Sequence, residues 1–100
     1  MPELSEKQKK HLRGLAHSRE PVVLIGQAGL SPAVVAELET ALGAHELVKV
    51  RARVGDRDER DRILADLAQQ TGSALVQRIG NVGVFYRRHK ERPRIILPAD

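Results

Sequence analysis

The sequence predicts one α/β domain, a four-stranded mixed sheet packed with three helices in the order α-β-α-β-α-β-β. Three observations lead there. A continuous apolar run from Pro21 to Ile25 marks a buried strand, and strict alternation from Leu47 to Val54 marks a second. Apolar stripes at helical spacing stand before, between and after these runs, each with its own start and stop signals. One hundred residues leave little room for a second domain. The expected domain is therefore 1–100, with a core of about 4–98 and a basic tail from about residue 88.

The elements follow in order. Ser5, with Gln8 three residues on, is a capping-box pattern, so a first helix starts there and ends near His17. Leu12, Leu15 and Ala16 form its inward face, and Lys7, Lys9, Lys10 and Arg13 its outward arc. Pro21 to Ile25 is expected to be covered on one face or both. Ser31 caps a second helix with Pro32 in its first turn, Val34, Leu38, Ala41 and Leu42 facing in, and Gly43 ending it. From Leu47 to Val54, Val48, Val50, Ala52 and Val54 point one way and Lys49, Arg51 and Arg53 the other, as in an antiparallel or edge strand with one wet face. Asp56 or Asp58 caps a third helix carrying Ile63, Leu64, Leu67 and Ala68 inward and stopping at Gly72. Strands from Ala74 to Ile79 and from Val82 to Arg87 join across Gly80-Asn81, and Ile95 to Leu97 dock as an extended piece.

Composition bounds the function. The hydrophobic share is 41%, enough for a core, yet Phe85 and Tyr86 are the only aromatics. A broad base-stacking platform is thereby excluded, and any nucleic acid would be recognised by shape and backbone. There is no Cys, which suits a reducing compartment, and no apolar run near the roughly 20 residues that span a bilayer. A cytoplasmic protein without a membrane partner is expected. The net charge of +4 and a pI near 10.0 favour an anionic partner.

Gly26-Gln27-Ala28-Gly29 lies between the apolar run and the second helix. Two readings stay open for it. The glycines can simply allow a sharp turn, or they can let phosphate approach bare amides beside a helix N-terminus, as GXXG loops do in KH domains. The Lys and Ser/Thr of a P-loop and the third glycine of a dinucleotide fingerprint are absent. Three basic groups accompany the loop: helix one, Lys49 with Arg51 and Arg53, and Arg87, Arg88, Lys90, Arg92 and Arg94 in the tail. Asp56 with Arg60 and Asp58 with Arg62 are spaced as supporting i,i+4 pairs. The four histidines lack metal-ligand spacing, and no nucleophile is paired with a base, so neither metal, cofactor, small-molecule substrate nor catalysis is expected.

Taken in order, "LSEKQKKHLRGLAH", "PVVLIGQAGLS", "HELVKVR", "TGSALVQRIGNVGVFYR" and "KERPRIILP" resemble the YhbY family, stand-alone bacterial forms of the CRM (chloroplast RNA splicing and ribosome maturation) domain. The resemblance covers roughly residues 4–98. It implies a fold similar to the C-terminal domain of bacterial translation initiation factor three, RNA binding, and association with rRNA in precursors of the large (50S) ribosomal subunit. The family's GxxG motif falls on Gly26 and Gly29 with Gln27 and Ala28 between them, and its basic surface on Lys7, Lys10, Arg13, Lys49 and Arg51. Arg53 extends that surface, and Tyr86-Arg87 match the usual end of the last strand. Many relatives carry a basic or polar pair inside the loop, so Ala28 departs from the pattern and leaves backbone contact as the mode there. The acid- and arginine-rich start of helix three departs as well. The expectation is a monomeric RNA-binding assembly factor; the alternative is an adaptor for an acidic protein with incidental nucleic-acid binding.

Overall fold

Helix α1 spans Glu6–Ala16 in the computed structural model, which describes residues 3–99. Its capping box is complete. Gln8 N–H donates to the Ser5 hydroxyl and Ser5 N–H to the Gln8 side chain, each at 3.1 Å. Strand β1 is Pro21–Ile25, α2 is Pro32–His45 and β2 is Leu47–Ala52. Helix α3 is Arg57–Thr71, capped by Asp56 and stopped by Gly72 in the left-handed conformation. Strands β3, Ala74–Ile79, and β4, Val82–Tyr86, complete the sheet.

The sheet order is β1-β2-β4-β3, with β1 parallel to β2 and the other two pairings antiparallel. Thus β2 is interior, not an edge strand, although its antiparallel pairing with β4 is as expected. Breaks in register interrupt both outer strands, between Pro21 and Val23 in β1 and between Leu75 and Gln77 in β3.

Alternation along the strands sorts the side chains into two layers. On one face Val23, Ile25, Val48, Val50, Ala52 and Phe85 pack beneath Leu38 and Leu42 of α2 and Leu64 and Leu67 of α3. On the other, Leu47, Val76, Val84 and Tyr86 pack against Leu12 and Ala16 of α1, with Leu4, Ile95 and Leu97 alongside. A helix is too narrow to cover a four-stranded sheet, so half of this second face stays open. Val22 and Leu24 of β1 are 57% and 54% exposed for that reason, which settles that β1 is covered on one face only. Leu15, expected inward, sits at the margin of the α1 stripe and is 37% exposed.

Three local expectations need correcting. Gly43 remains helical, and α2 ends instead at Glu46, a residue with φ of +63°. The sequence carries no positive-φ signal at a Glu; its carboxylate, described below, holds the backbone there. Among the described residues the Asp56–Arg60 and Asp58–Arg62 pairs do not form ion pairs. The Asp56 side chain accepts from Glu59 N–H at 2.9 Å, Arg60 donates to the Gly55 carbonyl at 3.1 Å, and Asp61 pairs with Arg78 of β3 instead. Of Ile95 to Leu97, the outer two dock while Ile96 is 87% exposed.

Tyr86 is 1% exposed and, among the described residues, its hydroxyl has no hydrogen-bond partner. Burial, and then the negative charge of Glu46, raise its pKa above the ordinary phenol value. A buried unpaired hydroxyl costs stability. Tyr86→Phe is therefore expected to leave the urea midpoint unchanged or to raise stability by up to about 1 kcal/mol. A clear loss in equilibrium unfolding would mean that the hydroxyl is bonded in solution.

Candidate nucleic-acid interface

The bare half of the second sheet face is a groove. Lys49 and Arg51 project from β2 onto it, opposite Val84 and Val82 of β4, and Gln77 and Ile79 line it from β3. The last turn of α1 and the segment after it close one side with Arg13, His17 and Arg19. The space enclosed is about 290 Å³. Arg19 is fixed by a 2.7 Å bond from its guanidinium to the Leu47 carbonyl. Arg51 Nε is shielded from solvent and has no hydrogen-bond partner among the described residues. Four basic side chains thus surround a hollow whose one acid among the described residues is Glu20. Such an arrangement focuses positive potential and favours an anion that can enter the groove.

The glycine loop stands at the same end of the sheet. Arg53 N–H donates to the Ile25 carbonyl at 2.8 Å, and Ala52 N–H to the Asn81 carbonyl at 2.7 Å. These bonds bring the β1–α2 loop, the exit of β2 and the β3–β4 turn together. Inside the loop, Gly29 N–H donates to the Gly26 carbonyl at 2.9 Å, closing a tight turn that leaves Gln27 and Ala28 exposed. Ser31 then caps α2 by accepting from Val34 N–H at 3.2 Å.

The two glycines differ. Gly29 has φ of +78°, a conformation that disfavours other residues, so the turn itself accounts for it. Gly26 has no positive φ, and a Cβ built on it would meet nothing within 4 Å. Among the described residues no contact requires glycine there, as is also true of Gly14 and Gly43.

Of the residues singled out in the sequence, Arg13, Lys49 and Arg51 line the groove, whereas Gly26, Gln27, Ala28, Gly29 and Arg53 are not among its lining and follow the end of the sheet where Ile25 pairs with Ala52. Lys7 and Lys10 lie on the outer surface of α1, about 9 and about 4.5 Å of helix before Arg13. Lys9 leaves that arc to pair with Glu6 at 3.7 Å. Tyr86 and Arg87 lie elsewhere. They occupy the opposite end of β4, where Leu47 pairs with Tyr86, whereas Arg51 pairs with Val82 beside the loop. The Tyr86 ring is buried, so it presents no face to a base. The Arg87 guanidinium is engaged by the Glu39 carboxylate at 2.7 Å and the Thr71 carbonyl at 2.8 Å. Both are structural residues here.

Sequence reasoning misses Arg19 and Glu46. A single Arg in a short connection carries no pattern; only the placement of α1 brings it to the groove. Glu46 is 1% exposed. Its carboxylate accepts N–H bonds from His89 at 2.8 Å, Arg94 at 2.7 Å and Ile95 at 2.8 Å. Burial alone would raise its pKa, but these donors and the nearby His89 outweigh that and hold it below the ordinary value.

The fold and the groove define a small α/β domain in which one helix is laid across half of a basic sheet face. The sequence profile of the CRS1 / YhbY (CRM) domain matches residues 4–87, and the chain belongs to that family. An RNA-binding protein of Haemophilus influenzae is 45% identical over 98 residues, covering 98% of each chain. A probable RNA-binding protein of Pseudomonas aeruginosa is 41% identical over 86 residues, which are 86% of this chain and 83% of that one. The solution structure of a Staphylococcus aureus protein, named as a candidate RNA binder, superposes with a TM-score of 0.84 at 36% identity. It covers 96% of this chain and 100% of its own.

Proposed function

We propose that the protein binds RNA through the phosphate backbone and acts, without catalysis, on rRNA in precursors of the large ribosomal subunit in the cytoplasm. The observation that carries the RNA reading is the convergence of Arg13, Arg19, Lys49 and Arg51 on one groove beside the glycine loop. The names of the relatives support the same partner. Arg and Lys in the groove neutralise phosphates and release counterions, while the Gly26 to Gly29 turn and the start of α2 offer backbone amides and a positive dipole end. With both aromatics in the core, affinity comes from charge and shape. The choice of rRNA rests on the sequence resemblance to stand-alone CRM proteins.

Replacing Lys49 and Arg51 together by Gln is expected to weaken RNA binding about tenfold or more. The slope of log K against log salt should fall by about 1.4, two contacts at about 0.7 each. Unchanged affinity and slope would remove the groove from the interface. For the partner, the test is sedimentation of a lysate with and without nuclease. Nuclease-sensitive co-migration with free large subunits or their precursors is expected. Protein remaining at the top of the gradient at low salt would overturn the ribosomal assignment, and association that survives nuclease would favour a protein partner.

A further inference from the structure

The family profile ends at residue 87, but the basic segment after it is held by its own hydrogen bonds. Besides the three bonds to Glu46, His89 Nδ1 accepts from the backbone N–H of Glu91 at 3.2 Å and of Arg92 at 3.0 Å. These bonds fix the backbone of the turn and leave its charged heads outside. Arg88, Lys90 and Arg92 are exposed, and among the described residues none has a carboxylate within ion-pair distance. The contrast with Arg87, held by Glu39 one residue earlier, is sharp. Arg94 is likewise partly used, donating to the Ala44 carbonyl at 3.0 Å.

Helix α1 joins this turn to the groove. Its first turn meets the tail, where Gln8 donates to the Pro98 carbonyl at 3.1 Å. Leu4 and Gln8 face Arg88, His89 and Lys90 across a hollow of about 1090 Å³. Its last turn lines the groove through Arg13 and Ala16. Between these ends Lys7, Lys10 and Arg13 fall within about 120° of one another on the outer surface, at about 100° per residue. Basic side chains therefore recur from the groove, along α1, to the turn at 88–92, while Glu3, Glu39 and Glu91 line the hollow beneath that turn.

We propose that Arg88, Lys90 and Arg92 form the far end of a single RNA track, so that one strand contacts the groove, the outer surface of α1 and the tail turn in succession. This rests on the RNA reading above and extends it past the family's matched region. The molecule is 38 Å in its longest dimension, which limits the track to about 11 nucleotides at about 3.4 Å of rise each in a stacked strand. Affinity should accordingly grow with RNA length up to that limit and then level off.

The test uses the full chain with labelled RNA strands of about 4 and about 20 nucleotides. An Arg88→Ala/Lys90→Ala/Arg92→Ala variant removes only exposed side chains. It is expected to bind the long strand about tenfold more weakly, with a salt slope smaller by about 2, and the short strand as the unaltered protein does. The Lys49→Gln/Arg51→Gln variant should weaken both strands. If the tail variant binds the long strand normally while the groove variant does not, the extended track is wrong and the RNA reading stands. Equal loss on both strands also overturns the track, since the tail would then belong to one compact site. If neither variant changes binding, the RNA reading fails and the track with it.

Discussion

Glu46→Ala is expected to lower the unfolding free energy by about 3 kcal/mol, well beyond the effect of any substitution on the RNA-binding surface. The carboxylate takes three backbone N–H donors, and each buried donor left unpaired costs about 1–3 kcal/mol unless it reaches water. Release of the tail limits that cost, so the loss should stay near the lower end of the sum and appear first as faster amide exchange at His89, Arg94 and Ile95. Glu46→Gln separates charge from shape. Its oxygen can still serve Arg94 and Ile95, but its NH₂ then confronts the His89 N–H, so an intermediate loss is expected. Glu46→Gly relieves the positive φ yet removes the acceptor, and should remain destabilised. Acid should mimic the alanine variant. Because the folded carboxyl titrates below its ordinary value, its contribution is complete above the ordinary glutamate range and is lost as pH falls through the folded value. Exchange protection at those amides and equilibrium unfolding followed against pH check this. A tail that stays protected in Glu46→Ala would mean that packing of Ile95 and Leu97, not the carboxylate, holds it.

Gln27→Asp/Ala28→Asp is expected to reduce RNA affinity more than tenfold while shifting stability by no more than about 0.5 kcal/mol. Both side chains are exposed, so the fold has little to lose. Two carboxylates at the tip of the loop would instead repel phosphate beside the α2 N-terminus. Gly26→Ala sharpens the question. With no positive φ and no neighbour within 4 Å, it should fold normally, and a loss of affinity would report the close approach of RNA to bare backbone. Gly29→Ala should destabilise the free protein by about 1 kcal/mol because of its φ of +78°. If the Asp pair and Gly26→Ala both bind RNA normally, the glycines serve the turn alone.

Periodicity and caps make most of the architecture legible. Ser5, Ser31, Asp56 and Gly72 act where their chemistry places them, and the GxxG loop falls between β1 and α2 as expected. What alternation cannot reveal is the neighbour of each strand. The polar residues of β2 suggest an edge, whereas Lys49 and Arg51 stay accessible because α1 ends before reaching them. The end of α2 is not legible because a buried acid, not the available Gly43, sets it. Within the candidate interface, Arg13, Lys49, Arg51 and the loop are identifiable as types in a pattern. Arg19 is not, since its partner is the Leu47 carbonyl 28 residues away. Tyr86 reads in the sequence either as a stacking ring or as a core residue with a wet hydroxyl, and the structure gives the core reading, with the tail and α1 packed over it.

The breaks in register in β1 and β3 bear on what the sheet edges offer to another strand. Those two strands are the outer ones, the edges at which another chain could extend the sheet by backbone pairing. Each is irregular, and β1 begins with Pro21, which has no N–H to offer. A flat, uninterrupted ladder is the template on which strands add and fibrils grow. Neither edge supplies one, even though aliphatic Val22, Leu24 and Ile79 are left exposed on the sheet face that carries the basic groove.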